Sequence, residues 1–172
     1  MTGHPLHGVL YGHGHMGRLH AAKLAARDDV QLDIIDPQLG MVSPVVDTPD
    51  FAIIATPTRA HAEVALPLLE RGVPCLVEKP LASSMNQAEA MARHPHLSVG
   101  HIERFNPVFD AIQGVAPEYI EAERLSPSSG RSHDIDVIGD LMIHDLDLVL
   151  RHMPGRITDV RAKGVGVTGN LP

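Results

Sequence analysis

Three observations predict an α/β fold: a doubly wound parallel sheet followed by the start of an α+β domain. A glycine loop, Gly12-His13-Gly14-His15-Met16-Gly17, comes directly after the apolar run Val9-Leu10-Tyr11. A second apolar run, Val30 to Ile35, ends in Asp36, nineteen residues beyond Gly17. Short apolar runs and amphipathic stretches then alternate as far as Ile102, the pattern of parallel strands covered by helices on both faces. The first glycine permits a tight turn, the second lets backbone approach a pyrophosphate, and the third lets the next helix pack against the strand. Free N–H groups at that helix start complete a site for a dinucleotide, as in a Rossmann unit.

The elements follow in order. Val9-Leu10-Tyr11 ends the first strand. Met16 to Arg27 is the first helix, with Leu19, Ala22, Leu24, Ala25 and Ala26 apolar and Arg18, Lys23 and Arg27 turned to water. The second strand places Asp36 at its tip. A carboxylate there accepts from both ribose hydroxyls and repels a 2′-phosphate, so NAD is expected rather than NADP. Pro37 to Pro49 carries no helical pattern, and an abbreviated link to the strand Phe51–Ala55 is expected. A helix over Arg59 to Arg71 is closed by Gly72 and Pro74. The strand Cys75–Val77 runs into Glu78-Lys79-Pro80. Ser84 caps a helix reaching Arg93, and Leu97 to Ile102 forms the next strand.

Beyond Pro107 the pattern changes. A short helix (Val108 to Gln113) leads to a strand over Tyr119 to Leu125 with alternating polarity, then a Ser/Pro/Gly loop. A long helix, Val137 to Met153, and a strand over Ile157 to Val167 close the sequence. We therefore expect residues 1–116 to form the NAD-binding domain. Residues 117–172 are expected to be an incomplete α+β domain for substrate and subunit contact, its sheet short of the three strands that stability normally requires.

Composition narrows the class. A net charge of −7 without a Lys/Arg cluster argues against nucleic acid, and no apolar run is long enough to cross a membrane. The single cysteine, Cys75, lies in an apolar strand and reads as a buried small residue in a reducing, cytoplasmic compartment. Aromatic residues are 3% of the chain, so the core has to come from Val, Ile, Leu, Ala and Met. Twelve histidines raise the question of a metal, but neither His13, His15 and His20 nor His94 and His96 have ligand spacing, and no metal is expected.

Candidate chemistry falls in three places. Asp136, Asp140, His144, Asp147 and Arg151 form one polar stripe on the long helix, which is otherwise apolar and expected to be buried on most sides. Asp140, one turn before His144, is placed to orient its ring, and such a histidine is a suitable proton acceptor. On composition alone the stripe reads rather as the solvent face of an amphipathic helix. Lys79 stands at the carboxyl end of a parallel strand, where ligands of open α/β sheets bind. It reads as a hydrogen-bond donor to a substrate oxygen or as a surface lysine in a turn. Thr56-Pro57-Thr58 ends the preceding strand in the same way, with His61 expected to face the same crevice.

These pieces together resemble the Gfo/Idh/MocA dehydrogenases. The resemblance rests on Gly12 to Gly17, Ala55-Thr-Pro-Thr58 with His61, Glu78-Lys79-Pro80 and Asp140-Leu-Met-Ile-His144. Gly100-His-Ile-Glu-Arg-Phe-Asn-Pro107 and Asp140 to Asp147 are similar to a subgroup that oxidises the 3-hydroxyl of UDP-N-acetylglucosamine. The resemblance implies that Lys79 contacts the reacting hydroxyl and nicotinamide ribose, that His144 removes the hydroxyl proton with Asp140 beside it, and that Glu78 adjoins the cofactor. It also implies that Arg104 and Asn106 contact substrate or cofactor. Arg124 reads as a phosphate contact or a strand surface charge. The expected function is NAD-dependent oxidation of a sugar or nucleotide-sugar hydroxyl, with a homo-oligomer through the second sheet. The rival is a non-catalytic NAD-binding sensor or regulatory module.

Overall fold

A computed structural model describes residues 4–42, 48–112, 114–126, 135–153 and 155–166. Five parallel strands form one sheet: β1 (Leu6–Tyr11), β2 (Val30–Ile35), β3 (Phe51–Ile54), β4 (Cys75–Val77) and β5 (Leu97–Val99). Their order is β2-β1-β3-β4-β5. The chain winds outward from β1 in one direction and from β3 in the other, so the sheet has its topological switch point between those two strands. Right-handed crossovers then put α1 (His15–Ala25) on one face and α2 (His61–Glu70) and α3 (Met85–Ala92) on the other. This is the doubly wound Rossmann fold that the sequence predicts.

The core lies between β3, β4 and the helices α2 and α3. Ile54, Val77, Ala65 and Met91 are fully buried, joined by Leu68, Leu69, Val73 and Cys75. α2 buries His61, Ala62, Ala65, Leu68 and Leu69, an i, i+1, i+4, i+7, i+8 stripe. Burial pushes the Cys75 thiol up to about 11, so it stays protonated and packs as a small apolar residue. Ser84 caps α3 by accepting from the Gln87 N–H at 3.4 Å, as its place before the helix predicts. Between β2 and β3 the chain makes a 3₁₀ turn (Pro37–Leu39), and the part of this link that is described contains no α-helix.

The region after β5 departs from expectation. Residues 108–112 lie within a 3₁₀ segment, Pro107–Ile112, rather than an α-helix; Gln113 is outside the described residues. Residues 119–125 and 157–166 are irregular and pair with no strand among the described residues, and Val167 lies outside them. Alternating polarity makes a segment fit for a sheet, but a strand exists only with a partner for its backbone groups. The long helix is split into a π-helical turn, Ile138–Met142, and α4 (Ile143–His152). Its apolar residues are not deeply buried either: Leu146 is 46% exposed and Leu150 60%.

Candidate active site

The glycine loop is built as its spacing requires. Gly12 has φ +88°, and a Cβ there would lie 2.6 Å from the Ala55 carbonyl oxygen. A Cβ on Gly17 would lie 2.0 Å from the Gly12 carbonyl oxygen, so helix and strand meet only through glycine. Gly14, the N-cap of α1, faces open space instead, which leaves its backbone approachable. Asp36 accepts from the His13 N–H at 2.8 Å and from the Gln38 N–H at 3.1 Å. These bonds orient the carboxylate against the loop and leave lone pairs for further donors.

A crevice of about 290 Å³ opens at the carboxyl ends of β3 and β4, lined by His15, Met16, Thr56, Pro57, Glu78 and Lys79 among others. Thr56 Oγ1 is buried and has no hydrogen-bond partner among the described residues. An orphaned hydroxyl, open backbone at Gly14 and the free N–H groups of the first turn of α1 suit a dinucleotide and its phosphates. A larger hollow of about 410 Å³ between Phe109, Ile120 and Leu148 shares no lining residue with this crevice. His61 corrects the sequence reading. It is 1% exposed, with Nδ1 3.0 Å from the Pro80 carbonyl oxygen and Nε2 2.9 Å from that of Thr56. Its ring ties the two turns together from below rather than facing the crevice.

Lys79 and the helical stripe meet across 61 residues of sequence. Lys79 Nζ donates to the Asp140 carbonyl oxygen at 2.8 Å and to its carboxylate at 3.0 Å. The π-helical turn, in which Ile143 N–H reaches back to Ile138, carries Asp140 to this contact. Asp140 therefore holds Lys79 and does not orient His144. His144 Nδ1 is buried without a partner among the described residues. Burial, with Lys79 and Arg124 as neighbouring cations, lowers the His144 pKa from its ordinary 6.5, so the ring is neutral at pH 7. The site thus pairs a carboxylate-anchored ammonium with a neutral histidine, and two of the three Lys79 donors are already engaged.

The other expected contacts are engaged within the protein. Arg104 makes a two-pronged contact with Asp147, Nε donating at 2.7 Å and Nη2 to the other oxygen. Arg124 Nη2 and Nε donate to Asp145 at 2.9 and 3.0 Å. Asn106 donates to Glu103 at 3.1 Å and accepts from the Val108 N–H, closing the turn it begins. Two histidines with no partner legible in the sequence find one in the fold: His101, whose Nε2 lies 3.8 Å from Asp147, and His20, whose Nε2 lies 2.7 Å from Glu78. Only the fold brings these pairs together.

Residues 39–96 match a family model described as an oxidoreductase family with an NAD-binding Rossmann fold. The UDP-N-acetylglucosamine 3-dehydrogenase of Acidithiobacillus ferrooxidans is 39% identical over 90% of this chain. The chain's Rossmann unit belongs to the Gfo/Idh/MocA oxidoreductase family. Another relative, an inositol 2-dehydrogenase of Corynebacterium glutamicum, is 32% identical over 68% of this chain. The chain spans 56% of the length of the first of these Gfo/Idh/MocA relatives and 39% of the second. A solved structure of the Acidithiobacillus ferrooxidans enzyme superposes with a TM-score of 0.80 at 41% identity, covering 95% of this chain and 61% of that one. A myo-inositol dehydrogenase from Corynebacterium glutamicum gives a TM-score of 0.67 at 26% identity, covering 87% of this chain and 55% of that one.

Proposed function

We propose that the chain carries the cofactor-binding and proton-transfer parts of an NAD-dependent dehydrogenase. Its substrate is a secondary hydroxyl of a sugar or nucleotide sugar of the UDP-N-acetylglucosamine type. The observation that carries this reading is the pairing of Lys79, anchored on Asp140, with a His144 kept neutral by burial and nearby cations. Gly12 to Gly17 and Thr56 to Thr58 would hold NAD along the crevice, with Asp36 selecting it over NADP. NAD supplies the hydride acceptor. The remaining donor of Lys79 orients the substrate oxygen, and neutral His144 takes the hydroxyl proton as the carbonyl forms. The 39% identity to a nucleotide-sugar dehydrogenase supports the substrate class.

We place the boundary between the cofactor domain and the second domain near residue 116, the protein in the cytoplasm, and subunit contacts on the second domain. The test follows NADH absorbance with UDP-N-acetylglucosamine and a panel of inositols, alongside NAD and NADP titration. NAD-dependent turnover is expected, falling roughly 10²- to 10⁴-fold in His144→Ala, the range for loss of a general base, with NAD affinity retained. NAD binding with no turnover on any substrate, unchanged in Lys79→Ala and His144→Ala, would favour the sensor or regulatory module instead.

A further inference from the structure

Glu78 is 7% exposed, and its carboxylate sits at the end of β4 directly before Lys79. A carboxylate so enclosed needs a donor. The donor is His20 Nε2 on α1, 2.7 Å from Oε1. On the other side Gly100 makes room, since a Cβ there would lie 3.0 Å from Oε2 and 3.2 Å from Oε1. Glu78 also lines the crevice. The contact therefore joins two elements, α1 and the end of β4, and Gly100 just after β5 leaves room for it. α1, whose N-terminal residues His15 and Met16 border the crevice, packs chiefly on β1 and β2. Through His20 it reaches across to the turn that carries Lys79.

We propose that His20 is a positioning residue which, through Glu78, fixes the Lys79 turn relative to the glycine-loop helix. Two parts of one reaction site sit on separate elements here, the dinucleotide helix and the end of β4, and a charge-assisted bond of 2.7 Å sets their spacing. The proposal rests on the dehydrogenase reading for its kinetic consequence but not for its structural one, and the two are tested separately.

The test compares the full chain with His20→Ala and His20→Gln, the latter keeping a side-chain donor of similar reach. Backbone amide NMR spectra are expected to show Lys79 and the glycine-loop residues Gly14 and His15 shifting together in His20→Ala and returning toward wild type in His20→Gln. Changes confined to α1, or alike in the two variants, would overturn the proposal whether or not the chain turns substrate over. Where it does, kcat should fall about tenfold in His20→Ala, a cost in the range of small misplacements of reacting groups. The KM for NAD should stay within about twofold and His20→Gln should recover most of the loss. A lowered Tm with kcat unchanged would mark His20 as structural only and sink the idea.

Discussion

The sheet with its three helices and the region after β5 are held by different forces. In the first, Leu10, Ile54 and Val77 are fully buried and the packing is aliphatic. In the second, no described residue is buried, and Leu125 and Val165 are each 83% exposed. That region meets the sheet-bearing unit through a polar contact, Asp140 on Lys79, while Asp147 on Arg104 and Asp145 on Arg124 tie its own segments together. Apolar burial fixes a fold firmly because packed cores resist deformation. Ion pairs place one piece against another with less energy and with sensitivity to pH and salt. The cofactor crevice is accordingly built into the rigid part, while His144 arrives on an element seated by charge.

The largest effect should come from cutting the core. Ile54→Ala is expected to lose about 3 kcal/mol in denaturant unfolding, within the range for truncating a fully buried aliphatic residue. Leu150→Ala, at a residue 60% exposed, should stay within about 0.5 kcal/mol. Similar losses at both positions would erase the contrast between the two regions.

Next is cofactor choice. Asp36→Asn should weaken NAD by roughly tenfold, the scale of one hydrogen bond to a charged group. It should also narrow the preference for NAD over NADP, measured by titration of both. An unchanged preference would remove Asp36 from the selecting role.

A smaller effect concerns the seating of α4. The Arg104 guanidinium holds the Asp147 carboxyl below its ordinary 3.8. A group whose folded value is depressed contributes stability above its unfolded value and loses it as pH falls through the folded one. The Asp147–Arg104 tie should therefore hold at pH 5 and loosen below about 3.8. Arg104 is 44% exposed on its side chain, so the loss in Asp147→Asn should be under about 1 kcal/mol. Amide exchange in α4 should rise in that variant while β1 and β3 are unaffected. A rise spread evenly over the sheet would contradict the division.

The same division explains what was legible in the sequence. The glycine loop, Asp36, the Ser84 cap and the strand–helix alternation are local patterns, written within a turn or a strand of each residue. The Lys79–Asp140 contact spans 61 residues and the His20–Glu78 contact 58, and no periodicity announces either. Asp140 and His144 stand at helical spacing, which suggested that one orients the other. The π-helical turn and the pull of the Lys79 ammonium give Asp140 a different partner. His61 was recognisable as part of a motif, but its burial beneath two carbonyl groups depends on turns brought together by the sheet.

Proton transfer at this site depends on His144 being neutral beside an anchored ammonium, and an NMR pH titration of the His144 ring tests this most directly. The midpoint should lie below 6.5, because burial and the nearby cations disfavour the charged ring, and it should rise in Lys79→Met, which removes one of those cations. The protonated form should accumulate only as pH falls through that lowered value, with folding stability declining from about pH 6.5 downward as the unfolded chain takes up the proton first. A midpoint at or above 6.5, or one indifferent to Lys79→Met, would contradict the site as described.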